Sequence, residues 1–327
     1  GCRFCQAGTI TRPVRERPVE EVVDAAEAIL DNTGYEELAL LSLSSADYSQ
    51  IERLLDELLA RFEGRHVSIS LPSLRIDAFS VDLAEKLSRH GRRPGFTFAP
   101  EAGSERLRDR INKDVTDEEL LDIAREVFAR GWRSIKLYFM IGLPGETDED
   151  VEAIADLARR VRAIGQRIGG RGAYVRVSIG TFVPKPHTVF QWEPLADRET
   201  VERRQVMLQE GIRGRGFDLS WNRYADTWLE ALLTRGDRRL NAVVERAWRL
   251  GARFDAWDEW RDMDAWRESL ATCELPGFDG PDAAEAYYLT RRRDETEVFP
   301  WDHLHSGVEK RFLVEDLQRS RQEEQLP

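Results

Sequence analysis

Two cysteines separated by two residues, Cys2 and Cys5 in Gly1-Cys2-Arg3-Phe4-Cys5, can aim both thiolates at one metal centre. Cys273 is the only other cysteine, so the pair belongs to no disulfide framework. Two ligands rarely complete a metal site. The chain also opens without Met and without a targeting segment, so the pair is expected to be half of a site in a chain cut from a longer one. Three other readings stand beside this one: incidental thiols, a zinc knuckle short of its partners, and a thioredoxin-like redox pair. A redox pair would follow a strand and open a long helix, whereas Arg12-Pro13 stops any helix soon after Cys5.

Further along, small and polar residues gather where strands give way to turns. Gly142-Leu143-Pro144-Gly145-Glu146-Thr147 combines glycines for positive φ, a proline for rigidity and Thr147 as an N-cap. Bare backbone there would let a flat ligand ring lie against the turn, or the run is an ordinary turn. In Ala99-Pro100-Glu101-Ala102-Gly103, the Glu101 carboxylate can bind two vicinal hydroxyls or complement a helix N-terminus. Ser42, Ser44 and Ser45 leave the first strand, where their carbonyls suit an ammonium group and ordinary turn chemistry equally. Val183-Pro184-Lys185-Pro186-His187-Thr188 closes the last strand of the series and brings Lys185 and His187 to its end. Lys136 and Arg176 are expected to point inward, where a cation needs a partner or an anionic ligand.

The elements that must position these residues alternate. β-prone runs at Leu38–Leu43, His66–Leu71, Gly95–Pro100, Ser134–Ile141 and Tyr174–Val183 are interleaved with amphipathic stretches. Those stretches lie near Val19–Asp31, Gln50–Phe62, Val81–His90, Asp117–Ala129 and Glu149–Ile164. Thr116 with Glu119 reads as a capping box, and Thr147 with Asp150 as a weaker one. Strand–helix alternation implies parallel strands, in a doubly wound sheet or a (β/α) barrel. Each strand is apolar on one side only: Ile135, Leu137, Phe139 and Ile141 oppose Lys136, Tyr138 and Met140. A doubly wound sheet is covered on both faces, so the pattern favours a partial barrel with helices outside and a wet interior.

After about residue 217 the character changes. Helices are expected at Ser220–Thr234, Asp237–Gly251, Ala256–Ala271 and Val308–Ser320, with a loop at Pro276–Pro281. Trp221, Trp228, Trp248, Trp257, Trp260 and Trp266 are read as packing anchors of this helical region rather than a platform for bases. The expected division is therefore a core over 1–217 and a helical region over 218–327.

Composition excludes several classes. With 327 residues, 41% hydrophobic and 33% charged, the chain is that of a soluble globular protein. No apolar run approaches the roughly 20 residues that span a bilayer. A net charge of −12 disfavours non-specific binding to a phosphate backbone. Three cysteines fit a reducing compartment, with a cytoplasmic location as the expectation.

Together these pieces resemble a radical S-adenosylmethionine (SAM) enzyme with an Elp3/MiaB-like core. Gly1-Cys2-Arg3-Phe4-Cys5 is similar to the end of the C-x3-C-x2-C cluster motif, and Leu71–Asp77, Phe98–Lys113, Lys136–Asp150 and Ser178–Trp192 resemble later core segments. Cys5-Gln6-Ala7-Gly8, Pro184-Lys185-Pro186-His187 and Thr234-Arg235-Gly236-Asp237-Arg238-Arg239 are similar to the B12-binding-type group of that superfamily. The resemblance implies a partial (β/α)6 barrel, lacking its first strand here, and a [4Fe-4S] cluster on three cysteines with one iron open to SAM. On this mapping Cys2 and Cys5 are cluster ligands and Phe4 packs near the adenine. Ser44 and Ser45 take the SAM amino group, Glu101 its ribose, and Ile141, Gly142, Leu143, Pro144 and Gly145 its adenine; Lys136 and Arg176 face the same cavity.

The implied reaction is reductive cleavage of SAM to a 5′-deoxyadenosyl radical that modifies an unknown substrate. Cobalamin-assisted methyl transfer, with cobalamin held by an upstream N-terminal domain, and MiaB-like modification of RNA or protein both fit. An electron donor such as flavodoxin or ferredoxin is implied as well. The first cluster cysteine would precede Gly1, and some relatives carry a cysteine-rich tail where this chain stops at Gln325-Leu326-Pro327. The fragment is therefore expected to be inactive alone. From another class, a non-catalytic barrel that binds a small ligand or protein partner fits the same alternation.

Overall fold

A computed structural model describes residues 1–45, 47–71 and 96–323. The helix expected at Val81–His90 lies outside the described residues, as do Gly95, most of Leu71–Asp77 and the last four residues. Among the described residues, β1 (Glu37–Ala39) pairs in parallel with β2 (Ser68–Ser70). A second parallel sheet runs in the order β3 (Phe96–Glu101), β4 (Ser134–Ile141), β5 (Tyr174–Thr181), β6 (Phe217–Trp221). The helices up to β6 are α1 (Ala7–Ile10), α2 (Val19–Thr33), α3 (Ile51–Arg61), α4 (Glu105–Arg110), α5 (Asp117–Ala129), α6 (Asp148–Gly169) and α7 (Arg198–Gly211). Beyond it come α8 (Tyr224–Arg235), α9 (Asn241–Leu250), α10 (Met263–Thr272), α11 (Pro281–Glu285) and α12 (Lys310–Glu323). The chain is thus an α/β protein with parallel sheets.

Burial alternates strictly along β4. Ile135, Leu137, Phe139 and Ile141 are buried, while Tyr138 is exposed and Lys136 and Met140 are half-buried. Each buried member contributes roughly 1.5–3 kcal/mol. Val175, Val177 and Ile179 of β5 and Phe96 and Phe98 of β3 join them in one core with Leu120, Val127, Ile154 and Val161. Helices α5 and α6 cover that face; on the other, Tyr138 is exposed while Met140 packs against the cluster of Phe182 and Trp192. Both helices begin with the expected capping boxes, Thr116 with Glu119 and Thr147 with Asp150. Helices α2 and α3 cover β1 and β2 through a separate core of Val23, Leu30, Leu55 and Leu58.

Three expectations need correction, the first being the helix expected over Ala256–Ala271, which begins only at Met263. Phe217–Trp221 is a strand, hydrogen-bonded beside β5, and the helix expected from Ser220 begins at Tyr224. Only part of the tryptophan set anchors packing: Trp228 and Trp266 are buried, whereas Trp248, Trp257 and Trp260 are more than half exposed. Those three ride on the outer face of α9 and on the loop before α10.

Candidate functional site

The cysteine loop is a tight turn, with the Cys5 N–H donating to the Cys2 carbonyl at 3.0 Å. Arg3, between the cysteines, is buried and fixes the loop from below. Its N–H donates to Ile111 O, and its guanidinium donates to Arg110 O at 2.8 Å and to Asp316 at 3.0 Å. From above, the Phe190 N–H donates to Arg3 O and the Gln6 amide donates to Pro186 O. Phe4 packs against a cluster containing Ala102, Leu143, Phe182, Phe190 and Trp192, which places it at the C-terminal ends of β3, β4 and β5. The Gly8 N–H donates to Cys5 Sγ at 3.3 Å.

Glu101 ends β3 at a register shift, with φ 71°. A left-handed non-glycine residue costs roughly 1–2 kcal/mol, and such strain gathers where a side chain must be re-aimed. Burial pushes the Glu101 carboxyl up to about 7, with the Lys113 ammonium opposing. Cys2 feels the same neighbourhood. Burial raises its thiol, the Lys113 ammonium opposes the rise, and the charges of Glu101 and Cys5 add to it. The two sulfurs, Glu101 and Lys113 therefore form one electrostatic group.

The Gly142 turn is built from charge buried beneath it. Gly142 has φ 79° and its N–H donates to Glu146 Oε2 at 2.6 Å; Arg204 pairs with that oxygen at 2.5 Å. Burial raises the Glu146 carboxyl to about 7 against the pull of Arg204 and the Gly142 N–H. Arg106 donates to Gly145 O at 3.1 Å and pairs with buried Asp150, which also receives the Ser104 hydroxyl. Asp150 thus ties the loop after Glu101 to the loop after Ile141.

The structure brings Cys2, Cys5, Phe4, Glu101 and Ile141–Gly145 to one end of the four-stranded sheet. Lys136 and Arg176 are register neighbours on the face turned away from α5 and α6, five residues before Ile141 and Thr181, about 16 Å down the strands. Lys136 donates to Tyr138 Oη at 2.6 Å and lies over that ring. Ser44 and Ser45 follow β1, whose sheet shares no ladder with the larger one among the described residues. Ser45 donates to Leu40 O, and the Ser44 hydroxyl is buried without a partner. Lys185 pairs with Glu230. Sequence reasoning missed Lys113 and the Glu146–Arg204 pair. Glu146 stood in a run that was singled out, but its partner lies 58 residues away with no motif to mark it.

Among the described residues, no group of three or more His, Cys, Asp or Glu side chains is placed to hold a metal ion. None of their helices is long and apolar enough to cross a membrane. The family model described as the radical SAM superfamily matches residues 1–158, through the cysteine loop, Glu101 and the Gly142 turn into α6. An uncharacterized protein of Methanocaldococcus jannaschii is 31% identical over 75% of this chain and 51% of its own length. The ribosomal protein uS12 methylthiotransferase of Treponema denticola is 26% identical over 50% of the chain and 40% of its own length. A tRNA-2-methylthio-N(6)-dimethylallyladenosine synthase of Desulforamulus reducens is 28% identical over 49% of the chain and 37% of its own length. The chain thus spans about half, or less, of the curated relatives it matches.

Proposed function

Because this chain belongs to the radical SAM superfamily, we propose that it forms the SAM- and cluster-binding core of an enzyme that cleaves SAM reductively. The family implies a [4Fe-4S] cluster, and the donor set fits two of its three cysteine corners. Cys2 and Cys5 are partly exposed on one turn at the strand ends, and Cys5 Sγ already accepts a backbone N–H, a bond that tunes a thiolate ligand. The chemistry such a cluster supplies when bound is one-electron reduction of SAM, which yields methionine and a 5′-deoxyadenosyl radical.

The chain's own residues then bind and orient. Glu101 is held at the strand end by its bulge, where its carboxyl receives the ribose hydroxyls. The Gly142–Gly145 backbone lies against the adenine, with Phe4 beside it. Lys113 balances the charge of Cys2 and Glu101. Ser44 and Ser45 receive the SAM amino group in this reading, which takes the two parallel sheets as parts of one partial (β/α)6 barrel. The one-sided burial of β3, β4 and β5 supports that geometry. Its core meets the helical C-terminal region at β6. Transfer of a methylthio group is the outcome favoured by the names of two relatives.

The observation that carries the reading is the convergence of Cys2, Cys5, Glu101 and the Gly142 turn. Anaerobic reconstitution of the natural protein, followed by iron, sulfide and 5′-deoxyadenosine assays, tests it. A full cluster that yields no 5′-deoxyadenosine under strong reductant refutes it.

A further inference from the structure

The run Asp237-Arg238-Arg239 opens onto a cavity of about 620 Å³ that the proposed chemistry does not use. Arg235 and Arg293 line it and are only 1% and 4% exposed. Arg235 donates to the carbonyl oxygens of Tyr288, Glu193 and Arg291, at 2.5, 2.6 and 3.2 Å. Carbonyls satisfy its N–H groups without cancelling its charge. Arg293 donates to Arg235 O at 2.6 Å and lies over the Phe299 and Trp301 rings, while its Nε is buried without a partner. Neither guanidinium has a carboxylate within ion-pair distance among the described residues.

The nearby acids are already committed. Asp237 holds Arg239, and Glu297 holds Arg291 through two bonds of 2.8 Å. The Arg238 side chain, at the exposed rim, makes no hydrogen bond or ion pair among the described residues. Arg235, Arg238 and Arg293 therefore have no ion-pair partner among the described residues, although the committed carboxylates of Asp237 and Glu297 line the same cavity. Burial holds Arg235 down to about 9, with the charges of Arg293 and Arg291 adding to the effect and those of Glu297 and Glu193 opposing it.

We propose that this cavity binds a phosphate monoester dianion, with Arg293 inside and Arg238 at the rim as its charge partners. Guanidinium forks match phosphate oxygens in pairs, and the volume leaves room for a small organic group beyond the phosphate. The site stands independently of the radical SAM reading. It nevertheless shares a segment with the cysteine loop: Arg293 N donates to Trp192 O at 2.9 Å, and Phe190 N to Arg3 O.

Phosphorus NMR and calorimetric titration of the natural protein with inorganic phosphate, phenyl phosphate and dimethyl phosphate provide the test. Saturable binding is expected for the first two, with dimethyl phosphate about tenfold weaker or more. Arg238→Ala should weaken phenyl phosphate by about tenfold with an unchanged melting temperature, because the side chain is exposed. Arg171→Ala, on the distant turn before β5, should bind as the parent does. Arg293→Gln should lose more, and Arg238→Ala carries the test should that variant fail to fold. The proposal is overturned by absence of saturable binding, by equal affinity for the diester, or by an Arg238→Ala protein that binds as tightly as the parent.

Discussion

The Phe190 N–H donates to the carbonyl oxygen of Arg3 at 3.3 Å, clipping the segment after β5 onto the residue between the two cysteines. Arg3 is also bonded to Ile111 O, Arg110 O and Asp316, so the loop is held by three parts of the chain distant in sequence. Its shape is set by protein contacts, which is what a preorganised ligand loop requires.

Asp316→Ala should therefore act at the cysteine loop although it lies on α12. It removes one carboxylate partner from a buried guanidinium, and the cost is about 1–2 kcal/mol because Asp316 is partly exposed. Denaturant unfolding measures it. An unchanged midpoint would mean that the other bonds of Arg3 hold the loop without Asp316.

Gly103 makes a sharper case. A Cβ there would sit 2.2 Å from Asp150 O and 2.5 Å from Ile154 N, both backbone atoms that cannot swing aside. Gly103→Ala should cost about 3 kcal/mol and separate the two strand-end loops. Gly169, at the end of α6, has nothing within 4 Å of a Cβ and a helical backbone. Gly169→Ala should stabilise by about 0.5 kcal/mol. Thermal melts of the pair read both signs, and similar melts for the two would contradict the packing argument.

Much of this arrangement was legible in residue order. Ser134–Ile141 alternates so regularly that its boundaries and its buried face follow from period alone, and Thr116 and Thr147 announce their helices by local chemistry. Phe217–Trp221 also alternates, but it runs into the helical spacing of α8, and the longer pattern masked the shorter strand. Lys136 and Arg176 were assigned the correct face of their strands. Their height along the strands depends on where the loops end, which face periodicity does not encode. Lys113 and Arg204 reach their partners only through the folded backbone, so no spacing in the chain marks them.

Glu146 gives a pH prediction. Its carboxyl is raised from 4.5 to about 7, so the folded state holds this proton more tightly than the unfolded state. Stability should fall as pH rises across that window and level off above it; Glu101 acts in the same sense. Glu146→Gln keeps an acceptor for the Gly142 N–H and removes the titration. The fall in melting temperature between about pH 5 and 7 should then be roughly halved. A slope identical to the parent's would show that Glu146 stays ionised beside Arg204 throughout.

The last prediction separates ligand from bystander among the cysteines. Cys5 sits in the loop at the strand ends and accepts the Gly8 N–H, whereas Cys273 caps the end of α10 and packs against the helical cluster of Val243, Trp266 and Leu270. Cys5→Ala should abolish cluster assembly in the reconstituted natural protein. Cys273→Ala should keep its iron and sulfide and lose only a little packing, about 1 kcal/mol or less. Iron and sulfide per chain, with the visible absorption of the cluster, distinguish the two variants. Equal iron loss in both would mean that the thiols at the strand ends are not the ligands, and the assignment of Glu101 and the Gly142 turn to SAM would go with them.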